Sequence, residues 1–244
     1  MPAKAGTPYL DARDRAPRDR GGPMNGLLIS FEGAEGCGKS TQISTLAARL
    51  RAGGRVVHLL REPGGTPIGE EIRHTLKHST ENQAMTAEAE LLLMNASRAQ
   101  LVREIIRPAL AAGGIVLCDR FFDSTIAYQG YGRGLDLGMV QAVVDFAVGS
   151  TRPVLTLILQ VPSEVSRARL ESRQATLPFM RDRIEEAEPE FFERVNNGYR
   201  AIAAAEPERV RIVDAEGSVE SVQAEIWRHV GPLLAGFPSG NTAL

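Results

Sequence analysis

Five short apolar runs punctuate the chain: "LLISF" at 27–31, "VVHLL" at 56–60, "IVLCD" at 115–119, "VLTLILQV" at 154–161 and "VRIVD" at 210–214. They show little polar alternation, as expected of strands in a parallel sheet covered on both faces. Between them the period changes to that of helices. Residues 39–51 place Ile43, Leu46, Ala47 and Leu50 on one face, and Gly53-Gly54 supplies the stop. Ile68, Ile72 and Leu76 recur every fourth residue over 67–77. A long helix is predicted from about Ala87 to Ala112 and another over 137–148. Ser218 can cap a last one that runs to about Leu234. Strand–helix alternation throughout predicts a three-layer α/β domain. Only "RQATLPFMRDRIEEAEPEFF", 173–192, breaks the rhythm; charged and interrupted by proline, it reads as an excursion from the core.

Composition narrows this picture without changing it. The 244 residues fit one domain with a mobile insert. Residues 1–23 are rich in Pro, Gly, Arg and Asp, lack an apolar signal core, and are expected to be a disordered, dispensable extension. The domain is then expected over 24–236, with a lid at about 171–187 and a short tail at 237–244. A net charge of −2 gives no basic field for nucleic acid or an anionic membrane. No apolar run reaches the roughly 18 residues of a membrane span. Cys37 and Cys118 carry no metal-ligand spacing, and a reducing, cytoplasmic setting is the simpler inference.

The first run leads into "EGAEGCGKST", which contains Gly33-x4-Gly38-Lys39-Ser40, the spacing of a phosphate-binding loop. Glycines let successive backbone N–H groups converge on phosphate oxygens, and the following helix N-terminus adds its positive end. Gly33, Ala34, Glu35, Gly36, Cys37, Gly38, Lys39, Ser40 and Thr41 form the expected ATP-binding stretch. Lys39 would contact the β- and γ-phosphates, and Ser40 would ligate Mg²⁺. Cys37 fits because the loop needs a small side chain there. Such a loop predicts a bound triphosphate and says little about the acceptor.

The third run ends in Asp119-Arg120. Asp119, at the C-terminal end of a buried strand, can hold Mg²⁺ or its water. An ATPase that activates water commonly has a second acid at the next position. Here a guanidinium stands there, suited to a second anionic group such as an acceptor phosphate. No Asn-Lys-x-Asp motif follows the fourth run, which argues against a guanine-nucleotide switch. The four histidines, at 58, 74, 78 and 229, form no catalytic pattern.

Four stretches together resemble the thymidylate kinase family: "FEGAEGCGKSTQ" 31–42, "REPGGTPIGEEIR" 61–73, "DRFFDSTIAYQGYGRG" 119–134 and "DRIE" 182–185. With matching intervals the resemblance covers about residues 25–235. It implies a five-stranded parallel sheet in the order 2-3-1-4-5, a mobile lid, a homodimer, and the reaction of ATP and dTMP to ADP and dTDP with Mg²⁺. Arg73 and Arg120 resemble the arginines that grip the monophosphate. Two guanidiniums around one dianion would position it for in-line attack, and its already ionised oxygen needs no general base. Arg98 resembles the arginine that contacts thymine, Thr125 and Gln129 match positions lining the base pocket, and Tyr128 resembles the ring that excludes a ribose 2′-hydroxyl. Glu35 resembles the carboxylate facing the acceptor's 3′-hydroxyl.

Two positions depart from the family pattern. Met94 stands where a stacking Phe is usual; a thioether can lie against an aromatic face, with base selectivity the open point. Gly36 stands where some relatives carry a catalytic arginine, which hands that task to the lid, where Arg173 and Arg183 are the preferred pair and Arg181 is a third candidate. Two other readings remain open. In a deoxynucleoside kinase, Glu62 or Glu35 would take a hydroxyl proton. A regulator would keep the loop without turnover.

Overall fold

The computed structural model describes residues 25–176, 188–235 and 237. The expected N-terminal extension, most of the lid and nearly all of the C-terminal tail lie outside the described residues. Strands β1 (Leu27–Glu32), β2 (Val57–Arg61), β3 (Ile115–Asp119), β4 (Leu155–Gln160) and β5 (Val210–Asp214) form one parallel sheet. Its order is β2-β3-β1-β4-β5, as the resemblance implies. β1 pairs with β3 from Leu27↔Ile115 to Phe31↔Asp119, so Glu32 and Asp119 leave the sheet at neighbouring strand ends. At that edge the connections from β1 and β3 diverge, where ligands bind in open α/β sheets.

The period of two along each central strand divides its side chains between two cores. Ile29, Phe31, Leu117 and Leu157 pack against Leu46 and Leu50 of α1 (Lys39–Ala52) and Ile226 and Val230 of α9 (Val219–Ala235). Leu28, Val116 and Cys118 turn to the other face. There they meet Leu101 of α3 (Ala87–Leu101) and Val144 and Val148 of α6 (Leu137–Val148). Beside them, Ile158 and Val210 pack on Val195, Tyr199 and Ile202 of α8 (Pro189–Ala205). Each buried aliphatic side chain contributes about 1.5–3 kcal/mol.

The expectation of burial on both faces holds for β1, β3 and β4 but not for the edges. In β2, Leu59 is 41% exposed, and in β5, Ile212 is 42% exposed, because each strand has a neighbour on one side only. In α2 (Pro67–Lys77) the fourfold repeat buries Leu76 fully and leaves Ile68 exposed.

Local chemistry sets the ends. Thr66 caps α2 through Gly69 N, Asp136 caps α6 through Met139 N, and Ser218 accepts from Ser221 N as predicted. The long third helix is not uniform: α3 passes through a π-helical stretch, Val102–Ile106, into α4 (Arg107–Ala111). Pro108, which has no N–H and whose ring crowds the carbonyl four residues back, accounts for the break. A second π-helical stretch, Ile126–Gly132, extends α5 (Phe122–Thr125) and carries Tyr128 and Gln129. The excursion is shorter than expected, since α7 (Ser163–Thr176) and α8 enter it from both ends and Phe191 is buried. None of the described helices is long and apolar enough to cross a membrane.

Candidate active site

The phosphate loop joins β1 to α1, with Gly33, Gly36 and Gly38 all at positive φ. At Gly33 (φ 127°) a Cβ would lie 2.3 Å from the Leu159 carbonyl oxygen, so only glycine fits. Lys39 opens α1 and curls back over the loop, donating to the carbonyls of Gly33 (3.1 Å) and Ala34 (2.8 Å). Ser40 Oγ donates to Asp119 Oδ2 at 3.3 Å, which brings together the two expected metal ligands from distant segments. A hydroxyl and one carboxylate are hard oxygen donors of the kind Mg²⁺ takes together with substrate phosphates. Cys37 is buried beneath the loop and Cys118 in the sheet.

Gly36 explains its own residue type. A Cβ there would lie 2.7 Å from the Ser166 carbonyl and 3.1 Å from Leu170 Cγ, both on α7. Ser166 Oγ also donates to the Glu35 carbonyl. The loop is thus pinned against α7 with no room for an arginine at residue 36. The backbone of α7 runs on through Arg173. The Arg173 side chain, and all of Arg181 and Arg183, lie outside the described residues.

Beside the loop opens a cleft. Of the eight residues expected to bind an acceptor, Glu35, Met94, Arg98, Arg120, Thr125, Tyr128 and Gln129 line it. Arg73 is not among the lining residues; it donates to the carbonyl of the lining residue Pro63 at 2.8 Å. Arg120 Nη2 donates to Glu35 Oε1 at 3.0 Å, joining the cleft to the phosphate loop. Burial alone would raise the Glu35 pKa, but the charges of Arg120, Lys39 and Lys77 hold its carboxyl well below the usual range. It is therefore an anion at neutral pH. Burial pushes the Tyr128 phenol up to about 12, so the ring beside Arg120 stays neutral.

Arg98 is almost wholly buried, and its donors are engaged within the protein. Nε reaches Glu62 Oε2 (2.8 Å), Nη1 reaches Asn95 and Thr125 (2.8 Å each), and Nη2 reaches the Phe121 carbonyl (3.2 Å) and Glu62 Oε2 (2.6 Å). Among the described residues, none partners the buried Glu62 Oε1. Burial raises the Glu62 pKa while Arg98 opposes it. Gln129 likewise donates its amide to the buried Glu90 at 2.8 Å. Both groups enter the cleft already oriented.

Sequence reasoning missed several members of the site. Lys77 ends α2 and faces Glu35, a position no motif marks. Phe192 lines the cleft from the first turn of α8; the only signal for it is the "EFF" run inside the supposed excursion. Arg169 of α7 donates to the carbonyls of Ala215 (3.2 Å) and Glu216 (3.4 Å), with Nη1 3.9 Å from where a Gly38 Cβ would lie. It bridges the phosphate loop and the turn after β5. Glu32, which follows the run read as the first strand, is fully buried behind Arg120. Burial pushes its pKa up to about 7; Asp123's charge adds to this, and a bond from Ser124 and the charge of Arg120 act against it.

Over most of its length the chain is similar to known proteins. The family model described as thymidylate kinase matches residues 31–226. The thymidylate kinase of Syntrophotalea carbinolica is 48% identical over 202 residues, which is 82% of this chain and 93% of the relative. That of Pseudomonas fluorescens is 48% identical over 203 residues, 83% of this chain and 94% of the relative. Among solved structures, the thymidylate kinase of Ehrlichia chaffeensis superposes with a TM-score of 0.67 at 31% identity, covering 84% of this chain and 98% of its own. A phosphate-loop motif, an Asp-Arg strand end and a cleft beside them, with relatives of this extent, lead to one conclusion: the chain belongs to the thymidylate kinase family.

Proposed function

We propose that the chain transfers the γ-phosphoryl group of ATP to dTMP, giving ADP and dTDP, in the cytoplasm. The observation that supports this is the Arg120–Glu35 pair (3.0 Å), which joins the cleft to the phosphate loop and brings a guanidinium to the junction. Lys39 would exchange its loop carbonyls for β- and γ-phosphate oxygens. Ser40 and Asp119 would hold Mg²⁺, which supplies charge neutralisation on the phosphates when bound. Arg120 would grip the acceptor phosphate bidentately, with Arg73 holding the carbonyl of the lining residue Pro63. The acceptor oxygen is already an anion, so positioning and charge stabilisation do the work and no base is required.

The base would lie between Met94 and Phe192, a thioether and an aromatic ring offered from different helices. Thr125 and Arg98 meet at 2.8 Å on the wall facing its edge. Tyr128, whose ring packs edge-on against Phe191 and Tyr199, would block a 2′-hydroxyl. Glu35 would accept from the 3′-hydroxyl. Adenine would lie against the Arg169 guanidinium, next to the turn at 215–217 whose carbonyls that guanidinium holds. Mg·ATP with a panel of nucleosides and monophosphates, scored by chromatography, tests the assignment. Rapid dTDP supports it, with dUMP a weaker acceptor because a methyl group is worth about 1–3 kcal/mol. Thymidine turned into dTMP would favour the nucleoside kinase reading instead.

A lid arginine, Arg173 or Arg183, would stabilise the transferring phosphoryl group, since the Gly36 position is closed to one. Alanine at the acting position should lower kcat by roughly 10²-fold with little change in the KM for dTMP. Single-site kinetics at these two positions and at Arg181 check this, and three silent substitutions would remove the lid arginines from catalysis.

The homodimer is also proposed. Leu92 of α3 and Met139 and Phe146 of α6, helices that pack on each other, are 58%, 63% and 76% exposed. Apolar side chains shared by two adjacent helices fit a self-complementary interface. Phe146→Asp should shift sedimentation equilibrium from dimer to monomer; a wild-type chain that sediments as a monomer contradicts the proposal.

A further inference from the structure

Arg120 is the only non-glycine residue at positive φ (70°) among the described residues. A side chain in the left-handed region needs surroundings that hold it there, and such positions cluster at functional sites. Here both amides of the turn are held by the end of β1. Arg120 N donates to the Phe31 carbonyl (2.9 Å), and Phe121 N donates to Glu32 Oε1 (2.8 Å). The second oxygen, Glu32 Oε2, accepts from Ser124 Oγ (2.5 Å) and Tyr199 Oη (3.0 Å). Those two hydroxyls lie 3.1 Å apart and in turn receive Arg120 Nη1, at 3.2 Å and 3.5 Å. One buried carboxylate thus fixes the backbone of Arg120 from below and orients the hydroxyls that hold its guanidinium from the side.

We infer that Glu32 is a positioning residue for the acceptor phosphate, acting through Arg120 with Tyr199 and Ser124 as its relays. Among the described residues Glu32 is not one that lines the cleft; its side chain reaches the site through the Phe121 amide, Ser124 and Tyr199. Its chemistry is specific. Above pH 7, where Glu32 is ionised, it accepts on both oxygens, whereas an amide presents a donor on one side in either orientation at any pH. Glutamine would therefore confront either Phe121 N–H or the two hydroxyls with an N–H group. The hydroxyls would then turn, and Arg120 Nη1 would lose acceptors. The inference rests on the proposed role of Arg120 and extends it to a residue behind the site.

A double-mutant cycle in kinetic constants tests it. Glu32→Gln should raise the KM for dTMP by about tenfold, with the KM for ATP within about twofold. Tyr199→Phe, which removes one relay and keeps the ring, should act in the same direction by about threefold and serves if Glu32→Gln does not fold. Combined with Arg120→Ala, each substitution should add nothing further to the loss in kcat/KM for dTMP. Losses that multiply would overturn the inference, because Glu32 and Tyr199 would then act independently of Arg120. Wild-type constants for both single variants would overturn it as well. An Arg120→Ala enzyme with an unchanged kcat/KM for dTMP would overturn the acceptor reading itself, and this inference with it.

Discussion

Replacing Arg120 by alanine is expected to lower kcat/KM for dTMP by roughly 10²–10³-fold while the KM for ATP stays within about twofold. The side chain is only 15% exposed, is held by Glu35, Ser124 and Tyr199, and points into the cleft from a strained backbone. A group so placed meets its phosphate without reorganising, and its effect grows as the reacting oxygen approaches the γ-phosphorus. Loss of charge also leaves Glu35 anionic and closer to uncompensated, next to two sets of phosphates. Both effects act on the acceptor. Lysine at 120 should recover only part of the loss, because a point charge cannot reproduce the planar fork that reaches Glu35 and the two hydroxyls together. Steady-state kinetics with each substrate varied in turn check the split. A loss shared equally by ATP would place Arg120 on the donor instead.

Lys39→Ala is expected to reduce kcat by roughly 10²–10³-fold with both substrates saturating. The ammonium lies 2.8 Å from the Ala34 carbonyl and 3.1 Å from that of Gly33, so the loop holds it in place before nucleotide arrives. Because its partners are carbonyls of its own loop, moving onto phosphate oxygens leaves no buried counter-charge unpaired. Charge that spreads over the γ-phosphoryl oxygens in the transition state then gains a cation held within a largely buried site. The alanine variant should fold, since Gly33, Gly36 and Gly38 shape the loop without the side chain. Single-turnover phosphoryl transfer, with circular dichroism to confirm folding, separates chemistry from stability. A kcat within threefold of wild type would refute the assignment of Lys39.

Much of this site is legible in the chain because its parts are local. The loop motif, the Asp119-Arg120 strand end and the segment from Thr125 to Gln129 each lie within one short stretch, and β3, β5 and α6 begin and end where the apolar pattern does. What escaped the sequence is of two physical kinds. Helix α7 carries Glu164, Arg167, Arg169, Glu171 and Arg173 in fourteen residues, so its apolar stripe is too thin to announce a helix. Its regularity comes with packing on the phosphate loop through Ser166 and Leu170. The second kind is pairing across the chain. Arg98 meets Glu62 over 36 positions, and Tyr199 meets Glu32 over 167. Neither spacing leaves a mark in composition or periodicity, and only the sheet order brings the partners together.

The family assignment and the cleft converge on one chemical event, transfer of a phosphoryl group from ATP onto the phosphate of dTMP. The most direct measurement follows the label. With [γ-³²P]ATP, Mg²⁺ and dTMP, the account predicts ³²P in the β-position of dTDP, formed one for one with ADP. Label found only in inorganic phosphate, or in dTMP made from added thymidine, would contradict it.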